Sequence, residues 1–404
     1  MTSFLYGIPV EPVIEFHKGD ILKDRYQILK QGQGGNSKLY YCVDLWDGTP
    51  CTLKTHPSQL AKDAPEEQLR AFHQELYRMT QIPPHRYVVP FYRVEIIQDI
   101  YFLVTEWLPG SLQDRLDQLL RSEPPAGLSG KELLVILLSV CEGMKHCIKW
   151  LSSPQATFVH GDLKPENILI AEDGTVKLLD FGGGYTREYA SEEQLSGGPV
   201  STRSDLYSMG KIMEELLRFC GENQSFLDRC QKIAETCCQR RPEDRIQSFE
   251  VLSRELKQIY LDLTGGEPAL SEDGVDEIRF RISRLSNLAL IGEPVNIYAA
   301  LTEWMKDPQA SDEVLAEGFY QAAEIFRGRG LYQESLPLYN IARDYDHDAH
   351  SMVWTGLASV YWDLTDWKNA WKCAAQALTI NAFDYFAMKI AIDAMYNMGQ
   401  IQEL

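Results

Sequence analysis

Two short runs near the middle of the chain place acidic, basic and amide side chains beside apolar, strand-like segments. The first, FVHGDLKPENILI, carries Asp162, Lys164 and Asn167 in one loop. The second, LLDFGGG, carries Asp180 two residues before a glycine that permits a sharp turn. Phosphoryl transfer needs metal ions on the phosphates, a positioned acceptor hydroxyl and charge stabilisation, with little covalent help from the protein. These side chains are of the types that this reaction requires. To act in it, they must lie close together in the fold.

A glycine-rich run lies nearer the N-terminus, between two predicted strands. In GQGGNSKL the residues of interest are Gly32, Gly34, Gly35 and Leu39. Glycines let backbone amides approach phosphate oxygens, although such a run alone is more often a structural turn. Lys54 follows on the next strand, and Glu75 lies in the helix behind it. In this context the two predict an ion pair that orients the lysine towards the phosphates.

The order of apolar patterns predicts an α+β fold with two lobes. Residues from about 20 to 105 alternate short β-rich runs with turns, which indicates an antiparallel sheet. One helical segment, 65–80, interrupts it with apolar residues at helical spacing. From 129 to about 260 the pattern is mostly helical, apart from a β-rich patch at 158–181. A small sheet lobe therefore precedes a larger helical lobe.

The region from Gly19 to Leu263 resembles the eukaryotic-type Ser/Thr protein kinases, because these motifs occur in that family's order. The resemblance implies a two-lobed kinase fold that binds ATP and Mg²⁺. It implies that Asp162 accepts the proton of the substrate hydroxyl and that Asn167 and Asp180 hold Mg²⁺. Lys164 resembles the lysine that marks Ser/Thr rather than Tyr specificity.

The resemblance also implies an adenine site. Glu106 to Leu108 correspond to the hinge whose backbone reads the adenine edge, and Thr105 to the gatekeeper. Leu39 and Leu169 correspond to the residues that sandwich the adenine ring. Further along, Arg245 resembles the arginine that pairs with the glutamate ending the activation segment.

The chain departs from the family pattern in the segment that usually carries regulation. Gly161 stands where the family has an arginine that answers a phosphorylated activation loop. The segment from Asp180 to Glu193 is short, and its alignment places Thr186 at the substrate-loop threonine. Two readings follow. Either the kinase is active without loop phosphorylation, or the domain is a nucleotide-binding pseudokinase scaffold or acts on a non-protein substrate.

The C-terminal part predicts an all-α module. Residues 351–384 and the stretch 319–342 carry aromatic and small residues at spacings that match tetratricopeptide (TPR) repeats. The alternative is a generic helical bundle. A third, incomplete copy starts at Tyr385. The pattern resembles a chain cut before its repeats finish, and the alternative is a native terminus with this helix as its cap. Such repeats bind a partner peptide or protein substrate, dimerise the chain as a homodimer, or brace the kinase lobes.

These patterns divide the chain into an N-terminal extension at 1–19, a kinase domain at 20–263, a linker at 264–277 and a helical domain at 278–404. The formal net charge of −19 argues against a nucleic-acid-binding surface. The most apolar stretch, 133–140, is too short to span a membrane. The nine scattered cysteines are typical of reduced thiols, so a cytoplasmic protein is expected.

Overall fold

The structure is a computed structural model. It describes the following residues: 4–5, 8–9, 15–23, 25–34, 37–46, 48–55, 79, 82–98, 100–122, 127–153, 157–179, 184–270, 303, 305–306 and 310–400. Gly35, Glu75 and Asp180 therefore lie outside the described residues. So do the predicted helix at 65–80, except Met79, and the part of the predicted linker from 271 onwards.

The chain divides into two compact units that do not follow the order of the sequence. The first combines Met1–Pro65 and Arg93–Trp107 with the C-terminal Leu288–Leu404. The second combines Glu66–Tyr92 with Leu108–Asn287. The N-terminal strands and the C-terminal helices thus belong to one unit, called the sheet unit below. The other is called the helical unit.

The sheet unit contains an antiparallel sheet in the order β3-β4-β5-β6-β8-β7. Its strands are β3 Ile21–Leu22, β4 Tyr26–Gly34, β5 Ser37–Asp44, β6 Pro50–Thr55, β7 Phe91–Ile97 and β8 Ile100–Glu106. A separate two-stranded ribbon is formed by β1 Phe4–Leu5 and β2 Ile8–Pro9. The runs YQILK, KLYYCVD and CTLKT form strands because their alternate apolar side chains are buried on one face. The predicted antiparallel sheet is confirmed.

The helical unit is built around one long buried helix, α2 in the following list: α1 Leu112–Arg121, α2 Gly130–Leu151, α3 Glu192–Leu195, α4 Thr202–Leu217, α5 Gln224–Cys237 and α6 Phe249–Thr264. Ser129 caps the start of α2 by accepting a hydrogen bond from the amide of Glu132. Helix α6 ends at Gly265, whose φ of 74° is the left-handed conformation that glycine favours.

A three-stranded sheet within the helical unit carries the loop with the candidate catalytic residues. It runs in the order β11-β10-β9, formed by β9 Gly110–Ser111, β10 Ile168–Ile170 and β11 Val176–Leu178. Ile168 pairs with Leu178, and both side chains are fully buried. This pairing fixes the start of β10 immediately after the short 3-10 helix Pro165–Asn167.

Five C-terminal helices complete the sheet unit: α7 Asp312–Gly328, α8 Tyr332–Asp346, α9 Ser351–Asp363, α10 Trp367–Ile380 and α11 Tyr385–Asn397. Consecutive helices pack on one another through small buried residues. A Cβ on Gly356 would lie 2.3 Å from a ring carbon of Tyr339, so α8 and α9 approach too closely there for any larger residue. The all-α prediction is confirmed, while the TPR assignment stays a prediction. Across the ranges described above, no helix is long and apolar enough to cross a membrane.

Candidate active site

The loop before β10 is held in place by hydrogen bonds to a buried carboxylate. Asp205, on α4, accepts hydrogen bonds from the backbone N–H groups of His160, at 2.9 Å, and Gly161, at 2.8 Å. Burial raises the pKa of Asp205 to about 7, and the two N–H donors act in the opposite direction. Asp205 therefore fixes the backbone of this loop at His160 and Gly161.

Gly161 has a backbone conformation that explains the residue type. Its φ is 84°, where a residue with a Cβ is strained, and a Cβ there would lie 3.2 Å from the carbonyl oxygen of Gly184. Its own carbonyl accepts a 2.7 Å hydrogen bond from Gln194 Nε2. Glycine therefore lets the loop and the segment after Gly184 lie close together. Sequence reasoning missed Gln194, because a glutamine in a short helix gives no signal of its partner.

Replacing Gly161 with alanine tests this reading. We expect Gly161→Ala to lower the free energy of unfolding by about 1–3 kcal/mol, because of the positive φ and the close carbonyl. Chemical denaturation measures the change. Gly174→Ala is the matched control: Gly174 has a φ of 82° but nothing within 4 Å of its Cβ position. An equal loss in both variants would contradict a role for the Gly184 contact.

The structure brings three of the predicted catalytic residues together within the helical unit. Lys164 Nζ lies 2.6 Å from Asp162 Oδ2 and donates a 2.7 Å hydrogen bond to Thr186 Oγ1. The lysine thus joins the catalytic loop to the segment that begins at Gly184. Because a carboxylate, an ammonium and a hydroxyl meet here, the cluster can orient an acceptor hydroxyl and take its proton.

Asn167 lies in the same loop, and its amide nitrogen is used within it. Its Nδ2 donates to the backbone oxygen of Asp162 at 2.8 Å and faces Asp162 Oδ2 at 3.5 Å. The Asn167 Oδ1 atom is therefore the one that a cation would take. Asp162 Oδ1 is buried and has no hydrogen-bond partner in the part of the chain that the structure describes. Amide and carboxylate oxygens of this kind are suitable ligands for Mg²⁺.

The segment after the catalytic cluster is anchored by a buried ion pair. Arg245, whose side chain is fully buried, donates to both carboxylate oxygens of Glu193 at 2.7 and 2.9 Å. Burial opposes ionisation of this carboxyl, but the bonds from Arg245 and Ser204 lower the pKa of Glu193 to about 2. The predicted pairing of Arg245 with the glutamate is confirmed.

The glycine-rich run forms the β4–β5 hairpin of the sheet unit. Gly32 pairs with Leu39, and Gly34 pairs with Ser37 at the tip. A Cβ on Gly32 would lie 2.6 Å from the ring of Tyr41, so this glycine is also required by local packing. Lys54 on β6 pairs with Leu39 on β5, which places the lysine one strand from the hairpin.

The predicted gatekeeper and hinge residues lie at the end of β8 and directly after it. Thr105 is buried and pairs with Thr52, while Glu106 pairs with Cys51 on β6. Leu108 is buried and belongs to the helical unit. In that unit Leu169, on β10, pairs with Ser111 and with Lys177. Their roles in binding adenine stay predictions.

Comparison with known proteins gives one family match and several relatives. Residues 26–259 match the family model described as protein kinase domain. The chain is 30% identical over 215 residues to serine/threonine-protein kinase PrkC of Bacillus subtilis, which covers 49% of this chain and 31% of that one. It is 32% identical over 213 residues to serine/threonine-protein kinase PknL of Mycobacterium tuberculosis, covering 49% and 50%.

A longer match reaches beyond the kinase model. The chain is 28% identical over 296 residues to the probable serine/threonine-protein kinase SCO3848 of Streptomyces coelicolor, covering 67% of this chain and 40% of that one. The chain thus spans between about a third and a half of the length of these curated relatives. The matched family model ends before α7.

Proposed function

Because the chain belongs to the protein kinase family, we propose that it transfers the γ-phosphoryl group of ATP to a Ser or Thr hydroxyl of a protein. The observation that carries this proposal is the cluster of Asp162, Lys164 and Thr186. It provides a base and a cation beside the loop segment at the point where an acceptor hydroxyl must be held. The names of the similar bacterial proteins support a Ser/Thr acceptor.

In the proposed reaction Asp162 accepts the proton of the acceptor hydroxyl as its oxygen bonds to the γ-phosphorus. The bond from that phosphorus to the β–γ bridging oxygen breaks, and ADP leaves. Lys164 orients Asp162, because its ammonium lies 2.6 Å from the carboxylate. Bound Mg²⁺ would neutralise charge on the phosphates, and Asn167 and Asp180 are the residues proposed to hold it.

Control of the proposed kinase does not depend on a phosphorylated loop. Gly161 offers no guanidinium to a phosphate, and its backbone is already bonded to Asp205 and to Gln194. Glu193 is held by Arg245 without any modification. These contacts support a segment that is ordered in the unmodified protein.

The remaining parts of the proposal concern the C-terminal helices. We propose that α7 to α11 are TPR-like repeats and that the faces not packed on the sheet recruit a partner peptide or protein substrate. Small buried residues on consecutive helices support this reading. A cytoplasmic location and a homodimer stay predictions from the sequence.

The proposal is tested by phosphate transfer from γ-labelled ATP to a mixture of basic and acidic proteins, followed by phosphoamino-acid analysis. We expect label on serine and threonine. Binding of ATP, seen as a rise in the unfolding temperature, without any label would favour the nucleotide-binding scaffold. Label only on small molecules would favour a non-protein acceptor, and a protein that neither binds ATP nor transfers phosphate would overturn the proposal.

A substitution of Thr186 tests whether the protein substrate is held at this cluster. Thr186→Val removes the acceptor of the 2.7 Å bond from Lys164, and hydrogen bonds to charged groups contribute about 1.5–3 kcal/mol. We therefore expect kcat/KM for the protein acceptor to fall about 10- to 100-fold, with the ATP affinity unchanged. Thr236→Val is the matched control, because its hydroxyl donates an exposed hydrogen bond to a carbonyl of its own helix. An unchanged kcat/KM would remove Thr186 from the site.

A further inference from the structure

Two buried arginines lie close together in the sheet unit, one directly before β4 and the other on β7. Arg25, directly before β4, donates to both oxygens of Asp44, at 2.8 and 2.7 Å. Arg93, on β7, donates to the same Asp44 carboxylate and, at 2.8 Å, to the hydroxyl of Tyr26. The arginines are only 2% and 6% exposed, so each positive charge depends on its neighbours rather than on water.

A carboxylate from helix α7 joins these two arginines. Glu317 accepts hydrogen bonds from Arg25 Nη2 and, at 3.0 Å, from Arg93 Nη1. Glu317 is itself buried, although it lies 292 positions from Arg25 along the sequence. The C-terminal helices therefore supply a negative charge to the two arginines of the sheet.

One helical face carries a second carboxylate, seven residues further along α7. Glu324 lies 3.4 Å from Lys23 Nζ, which also binds Glu95 of β7 at 2.8 Å. Burial opposes ionisation of Glu324, but the charges of Arg327 and Lys23 lower its pKa to about 2. Residues seven apart lie on the same side of a helix, so α7 presents an acidic stripe to the sheet.

The charges on the two sides of this contact are complementary. The sheet contributes three cations and two carboxylates, namely Lys23, Arg25, Arg93, Asp44 and Glu95. Helix α7 contributes two carboxylates and one cation, namely Glu317, Glu324 and Arg327. Among these residues the sheet carries one net positive charge and the helix one net negative charge, so the two sides attract. Arg327 also lies 3.7 Å from Asp363 of α9. Buried charges are unfavourable without partners, so these ion pairs favour this arrangement of helix and sheet.

An aromatic contact lies beside the ion pairs. The ring of Trp46, just after β5, stacks on His350 with centroids 4.4 Å apart and an interplanar angle of 12°. His350 Nε2 lies 2.9 Å from the Trp46 carbonyl oxygen, and the ring of Tyr320 of α7 lies 5.3 Å from the tryptophan ring between centroids. The turn after β5 thus contacts helix α7 and the residue that caps the start of α9.

These contacts attach to the base of the hairpin that carries the glycine-rich run. Tyr26 pairs with Asp44 at the base of the β4–β5 hairpin, and Gly34 pairs with Ser37 at its tip. The two strands pair from base to tip, with one irregularity between Ile28 and Lys30, so the position of the base constrains the rest of the hairpin. At about 3.3 Å per residue the tip lies on the order of 25 Å from the network.

We propose that helix α7 is a fixed brace of the nucleotide-binding sheet, in which Glu317 is the positioning residue that holds the base of the glycine-rich hairpin. The proposal rests on the proposed function for the importance of the hairpin, but the brace itself is independent of it. The C-terminal helices thereby act on ATP binding through the sheet, in addition to any recruitment by their other faces.

The test compares full-length Glu317→Gln with wild type by hydrogen exchange and ATP binding. The variant leaves Arg25 and Arg93 with an excess of buried positive charge, so we expect amides of β4 and β5 to exchange at least about tenfold faster. We expect the Kd for ATP to rise about fivefold. Glu313→Gln, at an exposed position of the same helix, should match wild type in both measurements.

Glu317→Asp covers the case in which the glutamine variant does not fold. It keeps the charge but is one methylene shorter, so it cannot reach both arginines, and we expect intermediate exchange and affinity. Unchanged exchange in the hairpin, or an unchanged Kd for ATP in a variant that is merely less heat-stable, would overturn the positioning role. If wild type itself binds no ATP, the proposed function fails, and the exchange rates alone decide whether the brace exists.

Discussion

Asp162→Asn is expected to lower kcat for phosphate transfer by about 10³-fold, because positioned general bases contribute about 10²- to 10⁴-fold. Asparagine has nearly the same shape and still accepts a hydrogen bond from Lys164, so the loop should keep its conformation. It cannot take a proton from the acceptor hydroxyl. The Kd for ATP should therefore change less than about twofold, since the interaction lost is one made only in the transition state.

The measurement is single-turnover phosphate transfer from labelled ATP, with ATP binding and thermal unfolding measured on the same samples. Glu172→Gln is the matched control, because Glu172 is an exposed carboxylate on the turn after β10. A rate equal to wild type in Asp162→Asn would mean that this carboxylate takes no proton. A loss of ATP binding in parallel with the rate would instead assign Asp162 a role in holding the nucleotide.

Much of the site was predictable because its residues lie close together in sequence. Asp162, Lys164 and Asn167 fall within six residues, directly before an apolar run that forms the short strand β10. The order of the motifs then predicted the sheet and the helical unit. Pairing of Arg245 with Glu193 was predictable only through the family resemblance, because the two residues are 52 positions apart.

The union of the C-terminal helices with the sheet was not predictable in the same way. Arg25, Arg93 and Glu317 give no periodic signal, and isolated charged residues are read as exposed. Their burial depends on partners contributed by distant parts of the chain, which no local pattern specifies. The sequence therefore predicts helices beyond residue 278, with bracing as one of their uses, but it does not specify which face of α7 meets the sheet.

For two glycines the sequence indicated a functional reason but not the steric reason that the structure adds. In the sequence, Gly161 stands where the family has an arginine, and this difference concerns regulation. The structure adds a steric reason, since its positive φ and the close carbonyl of Gly184 both favour glycine. In the same way Gly32 was chosen for approach to phosphate, while its packing against Tyr41 requires the absence of a Cβ independently.

Loss of the Arg245 side chain is expected to have the largest effect on stability in the helical unit. Arg245 donates to both oxygens of Glu193 and to the carbonyl oxygens of Arg203, Gln239 and Arg240. Arg245→Met keeps most of the volume but leaves a buried carboxylate and three carbonyls without this donor. We expect the free energy of unfolding to fall by about 3–5 kcal/mol. Arg241→Met, which breaks an exposed pair with Glu243, should leave the free energy of unfolding nearly unchanged.

Dependence on pH separates the ion pair from simple loss of packing. The carboxyl of Glu193 has its pKa lowered from 4.5 to about 2 in the folded protein. Its stabilisation is therefore fully present above about pH 4.5 and is lost as the pH falls towards 2. We expect Glu193→Gln to be less stable than wild type at pH 7 and to converge with it towards pH 2, as followed by urea denaturation at each pH. A constant gap between the two proteins across that range would show that the charge of Glu193 does not stabilise the fold, and that only the shape of the Arg245 contact matters.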